Sequence, residues 1–111
     1  MTQPEGKVKK AIKDRMKKMF PSIWGYMPVQ SGYGTHGIPD HIFCLPYTIT
    51  AADVGRTVGI FVGVEAKSAK GAMSEYQILQ REGIQNAGGL YITVYGGPDV
   101  EEKLSVLEAL K

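Results

Sequence analysis

The chain has 111 residues, 43% hydrophobic and 22% charged, the balance of a single globular domain over 1–111. No apolar run approaches the ~20 residues of a membrane span, and the first residues lack the apolar stretch of a secretory signal. One cysteine and two histidines exclude an intrachain disulfide and a Cys/His zinc cluster, so a cytoplasmic protein with Cys44 as a buried structural thiol is expected. Net charge is +2 and unevenly spread. Residues 1–20 carry Lys7, Lys9, Lys10, Lys13, Arg15, Lys17 and Lys18 against Glu5 and Asp14. Such a segment suits a phosphate backbone, and equally a solvated helix face.

Residues 3–20 are predicted helical, with Val8, Ile12, Met16 and Met19 on one stripe and lysines opposite. Pro21 ends the run. Residues 26–30 read as a short strand that Pro28 confines to an edge or bulge. A glycine-rich loop fills 31–39. A strand begins at Asp40 and is interrupted near Pro46. Residues 50–57 read as a hairpin loop, and 58–66 as the second clear strand. After a turn at 68–72, residues 73–87 are predicted helical, closing at Gly88-Gly89. Leu90–Tyr95 is a β-branched and aromatic strand. Pro98 opens a last helix with Val100, Leu104, Leu107 and Leu110 on one side. The helix between 58–66 and 90–95 makes those strands parallel. The strands at 40–45 and 58–66 are expected to pair as an antiparallel hairpin, giving a mixed sheet flanked by helices.

Glu-x-Lys occurs at Glu5, Glu65 and Glu101. Only the second ends a strand, where alternation puts Glu65 and Lys67 on one side and Ala66 on the other. In the expected hairpin, Asp40 lies beside Glu65. Two neighbouring carboxylates repel unless they share a proton or a cation. With hard oxygen ligands that cation is magnesium or manganese, and the backbone carbonyl of Ala66 is a further donor. Lys67 beside it is suited to steady a developing phosphorane charge or to help a water lose its proton. The competing reading is a strand-end ion pair.

Pro39-Asp40 and Glu65-Ala66-Lys67, with 24 residues between Asp40 and Glu65, resemble the PD-(D/E)XK nuclease superfamily. The longer pieces "GIPDHIF", "FVGVEAKSAKGAMSEYQ" and "NAGGLYITVYG" resemble its VRR-NUC family, from about Glu5 to Tyr95. The resemblance implies a restriction-endonuclease-like α/β core ordered α-β-β-β-α-β with a C-terminal helix. It implies Asp40 and Glu65 as metal ligands, Lys67 as the catalytic lysine, Gln77 as the helix glutamine near the active site and Glu5 as an acid from the first helix. Glu5 has an alternative, since Thr2-Gln3-Pro4-Glu5 has capping-box spacing. The activity implied is that of a stand-alone Mg2+- or Mn2+-dependent endodeoxyribonuclease of phage or bacterial type. Its expected form is a homodimer acting on branched DNA like a Holliday-junction resolvase. The alternatives are a nuclease on duplex or flap DNA and a non-catalytic nucleic-acid-binding module. Lys9, Lys13, Lys17, Lys70 and His36 are the expected DNA contacts. Tyr33 and Tyr76 are read as packing residues or DNA contacts, and "FPSIWGYM", with Trp24, as a dimer interface or part of the monomer's own core. Gln80 projects centrally on its helix without an assigned role.

Overall fold

The computed structural model describes residues 5–29 and 36–111. The element order is α1 (Glu5–Met19), β1 (Trp24–Tyr26), β2 (Ile42–Cys44), β3 (Val62–Lys67), α2 (Glu75–Asn86), β4 (Leu90–Tyr95) and α3 (Asp99–Leu104). Over the described residues this is a mixed α/β protein with three α-helices and two small sheets of two strands each. Among the described residues, no helix is long and apolar enough to cross a membrane.

Helix α1 forms where the apolar stripe predicts it. Ion pairs one turn apart, Lys9–Glu5 at 3.4 Å and Lys10–Asp14 at 2.7 Å, line its outside; exposed pairs of this kind contribute ~0.3–0.5 kcal/mol each. The stripe itself meets no core. None of the fifteen residues is buried, and Val8, Ile12 and Met19 are each more than 40% exposed. The chain leaves the helix through a turn at Pro21, whose carbonyl accepts a hydrogen bond from Lys17.

β1 and β2 form an antiparallel ribbon, Trp24 opposite Cys44 and Tyr26 opposite Ile42. β1 thus lies upstream of the expected 26–30, because Pro28 cannot donate to a ladder and residues 27–29 fall outside the strand. Residue 30, and 31–35 of the glycine-rich loop, lie outside the described residues, as does Thr2.

The expected hairpin between 40–45 and 58–66 is not formed. Among the described residues, β2 pairs with β1 alone and β3 with β4 alone. Proline cannot extend the ladder at Pro46, and the segment beyond it is organised around Asp53. Its carboxylate accepts hydrogen bonds from the Thr50 backbone (2.9 Å), the Tyr47 hydroxyl (2.7 Å) and Arg56 (2.7 Å). Chiefly through the Thr50 N–H, then Tyr47 and Arg56, these hold the Asp53 pKa down at about 2. A short 3-10 turn over Ala51–Asp53 results, and β3 starts only at Val62.

The β3–α2–β4 unit is the parallel crossover the sequence predicts, in register from Val62 opposite Leu90 to Lys67 opposite Tyr95. Ser74 caps α2 reciprocally with Gln77. The Ser74 hydroxyl accepts from the Gln77 N–H at 3.1 Å, and the Gln77 side-chain oxygen accepts from the Ser74 N–H at 2.9 Å. At the other end Gly88, at φ +90, lets the Gly88 N–H reach Gln85 O (3.0 Å) and the Gly89 N–H reach Ile84 O (2.9 Å). This is a Schellman closure, which a residue with a Cβ would strain.

The core sits where these pieces meet: Ile84 and Ala87 from α2 and its cap, Ile92 and Val94 from β4, and Cys44 from β2. Two polar contacts help to dock the ribbon on α2. The Cys44 thiol approaches the Ala87 carbonyl at 3.7 Å, and the Trp24 indole N–H donates to Gln80 Oε1 at 2.8 Å. Gly83 is required here, since a Cβ would come within 2.8 Å of the Trp24 ring. The last predicted helix divides into α3 and a 3-10 segment, Ser105–Leu110. Asp99 anchors α3 to β4 by accepting from the Tyr95 N–H at 2.9 Å.

Candidate active site

Strand alternation in β3 places Gly63, Glu65 and Lys67 on one face, beside Tyr91, Thr93 and Tyr95 of β4. The Lys67 ammonium lies 3.7 Å from Glu65 Oε1. Both side chains are largely sheltered, 20% and 29% exposed. From α2, Gln77 Nε2 donates to the same Glu65 oxygen at 2.6 Å.

The Gln77 amide is fixed from both ends. Its oxygen is taken by the Ser74 backbone N–H, which leaves the nitrogen for Glu65. A glutamate at this position would serve the cap as well, but would set a second negative charge against Glu65. The Ser74-x-x-Gln77 spacing therefore does two things. It starts the helix, and it aims an amide donor at a carboxylate one element away. The Tyr91 phenol stays protonated, its pKa raised first by burial and then by the Glu65 charge.

Of the residues expected to form the site, Glu65, Lys67 and Gln77 come together. Asp40 does not join them. It is exposed, sits in a bend before β2 and, without the β2–β3 hairpin, has no strand pairing to carry it to Glu65. Glu5 is exposed on α1 and paired with Lys9, so the first helix supplies no acid to Glu65 here. Ala66 pairs opposite Val94, with Glu65 and Lys67 on either side of it.

A hard divalent cation needs several oxygen donors at ~2.0–2.6 Å. Glu65 and Asp40 are donors of the right chemistry, but among the described residues no three His, Cys, Asp or Glu side chains cluster to hold a metal. As arranged, the residues do not close a metal site.

The expected DNA contacts divide. Lys9 is engaged with Glu5, while Lys70 and His36 are exposed. Lys13 and Lys17 line a cleft of about 370 Å³ with Tyr26, His41 and Phe43. The His41 ring stacks on Phe43 at 5.5 Å, and its Nε2 is buried with no hydrogen-bond partner among the described residues. Tyr33 lies outside the described residues. Sequence reasoning missed the aromatic cleft beside Glu65, of about 460 Å³, to which Trp24, Tyr26, Phe61, Tyr76 and Tyr91 contribute. Its one advance sign was Gln80, three residues after Gln77 on the same helix face. Gln80 is the acceptor that seats Trp24.

Compared with protein-family models, curated proteins and solved structures, the chain matches none.

Proposed function

We propose that the protein is a small metal-dependent DNA endonuclease of the VRR-NUC type that hydrolyses phosphodiester bonds in branched DNA. The observation that carries the reading is the Glu65–Lys67–Gln77 constellation: a carboxylate and an ammonium on one strand face, with a helix amide pinning the carboxylate. The ordered sequence set Pro39-Asp40, Glu65-x-Lys67, Ser74-x-x-Gln77 supports it. So does the element order, which is compatible with a restriction-endonuclease-like core in which β2 joins the free edge of β3.

In this reading Asp40 and Glu65, with the Ala66 carbonyl, are the donors for Mg2+ or Mn2+, and Asp40 has to move toward Glu65 for them to act. The cation, when bound, supplies Lewis acidity at the scissile phosphate. Lys67 stabilises the negative charge that builds on the phosphoryl oxygens as a water oxygen bonds to phosphorus and the sugar oxygen leaves. Gln77 holds Glu65 in one rotamer. Lys13 and Lys17 contact phosphates. The exposed stripe Val8, Ile12 and Met19 supports a homodimer, in keeping with a junction that needs two cuts. The host would be a bacterial or phage-infected cell.

The test is cleavage of a four-way junction, a flap and a plain duplex with and without Mg2+ or Mn2+. Glu65→Ala and Asp40→Ala should abolish cutting and weaken metal binding by calorimetry. Lys67→Ala should cost on the order of 10²–10³ in rate and leave metal binding intact. Near-wild-type cutting by any folded variant overturns the assignment. One observation favours a second reading, a non-catalytic nucleic-acid-binding module: Asp40 stands exposed and unpaired with Glu65. DNA binding without cleavage under either metal would select it.

A further inference from the structure

We infer that the apolar stripe of α1 is covered by the acidic C-terminal segment, Asp99–Leu110, of a second copy of this chain, and reciprocally. The inference gives a surface to the homodimer proposed above and does not rest on the nuclease chemistry.

An amphipathic helix ordinarily turns its apolar side to its own fold. Helix α1 keeps Val8, Ile12 and Met19 in water. From another side it turns Lys13 and Lys17 to the cleft they share with Tyr26, His41 and Phe43. The charges beside the stripe say what sign of partner fits. Arg15 lies one turn from both Ile12 and Met19. Neither Arg15 nor Lys18 has an ion-pair partner among the described residues. A second α1 laid on the first would set these like charges against each other, which opposes binding. The covering surface has to be apolar and acidic.

One surface of the chain is both. α3 runs straight on into the 3-10 segment Ser105–Leu110, because Leu104 and Ser105 both keep helical dihedrals. Leu104 and Leu107 are half-buried, whereas Val106 is 65% and Leu110 56% exposed. Glu101 and Glu102 are exposed and, among the described residues, make no ion pair. The lengths agree as well. Val8 to Met19 spans about 17 Å at the α-helical rise. Val100 to Leu110, half of it at the longer 3-10 rise, also spans about 17 Å. Within one chain both surfaces stand exposed, so neither covers the other. A single helix-length contact falls short of the ~1,000 Å² of a stable interface. A two-fold axis supplies it twice, α1 of each copy on the C-terminal segment of the other.

The test is light scattering of the full-length protein at micromolar concentration, where the wild type should be a dimer. Arg15→Glu and Glu102→Arg, both at exposed positions, should each weaken the dimer by about tenfold or more, and the two together should recover most of the affinity. Cross-linking reads which surfaces meet. Ile12→Cys mixed with Val106→Cys should be joined by a short bismaleimide, while neither variant links to itself. The wild type, whose one thiol Cys44 is buried, should not link. The inference is overturned by a chain that stays monomeric, by Ile12→Cys linking to itself, or by charge reversals whose effects add instead of cancelling. A monomer that binds anionic phospholipid vesicles through the stripe would overturn it in favour of a membrane. A dimer with the expected cross-link that cuts no DNA in Mg2+ or Mn2+ would uphold the interface and end the nuclease reading. A monomer that cuts a junction would do the reverse.

Discussion

Helices α1 and α2 are both amphipathic by spacing, yet α2 buries Ile84 and α1 buries nothing. The difference lies in how each is tied down. α2 is bound at both ends to strands that pair with each other, so its apolar face is pressed onto β3 and β4. Among the described residues α1 has a strand following it, through the Pro21 turn, and no strand before it, so no pair of strands holds both its ends. A stripe of period 3.6 specifies that a helix forms and which side it would bury. What covers that side is set by connections, which periodicity does not encode.

Four measurements break or sharpen this contrast. Ile84→Ala should have the largest effect, since Ile84 is 3% exposed. The loss in urea-unfolding free energy should be ~2–5 kcal/mol. Gly83→Ala comes next. In an ordinary helix interior this change stabilises by roughly 0.5–1 kcal/mol. Here the new methyl meets the Trp24 ring, so a net loss of about 1–3 kcal/mol with altered Trp24 emission is expected. An unchanged spectrum would show that the ribbon is not seated on α2. Ile12→Ala on α1 should change stability by no more than ~0.5 kcal/mol in a monomer. A larger loss that grows with protein concentration would mean that a second copy covers the stripe, a result that light scattering would read directly.

The smallest effect concerns Asp53. Its folded pKa, about 2, lies below the ordinary carboxylate value, so its hydrogen bonds add stability above that value and lose it as pH falls toward 2. Protection of the Thr50 and Arg56 amides, relative to their intrinsic exchange rates at each pH, should fall over that acid range, and Asp53→Asn should remove that fall. Residues of α2 should exchange at rates that follow global unfolding instead.

Much of the β3–α2–β4 unit was legible in the sequence, because each signal there is local. Ser74 and Gln77 mark a helix start, Gly88-Gly89 its end, and "LYITVY" a strand matched residue for residue by β4. The Glu65–Lys67 pair followed from alternation alone. What local signals did not reveal was partner choice. Asp40 was placed beside Glu65 on the assumption that neighbouring strands pair, but Pro46 and the Asp53 network fill the connection and β1 takes the edge of β2. Trp24 was open between core and interface. The Gln80 hydrogen bond, 56 residues away in sequence, puts it against α2. Glu5 carried two readings, cap and ligand. The structure gives it a third partner, Lys9.

Cys44 turns the docking of the ribbon into something a clock can time. It is the chain's one thiol, 5% exposed, at the seam where β2 meets the end of α2. Burial raises its pKa against the smaller opposing pull of the Gly89 N–H, so while the seam is shut the sulfur is both hidden and protonated, and inert to alkylation. Each opening of the seam exposes it to reagent. The labelling rate at fixed pH, divided by that of a free thiol, is then the fraction of time the ribbon spends detached from α2.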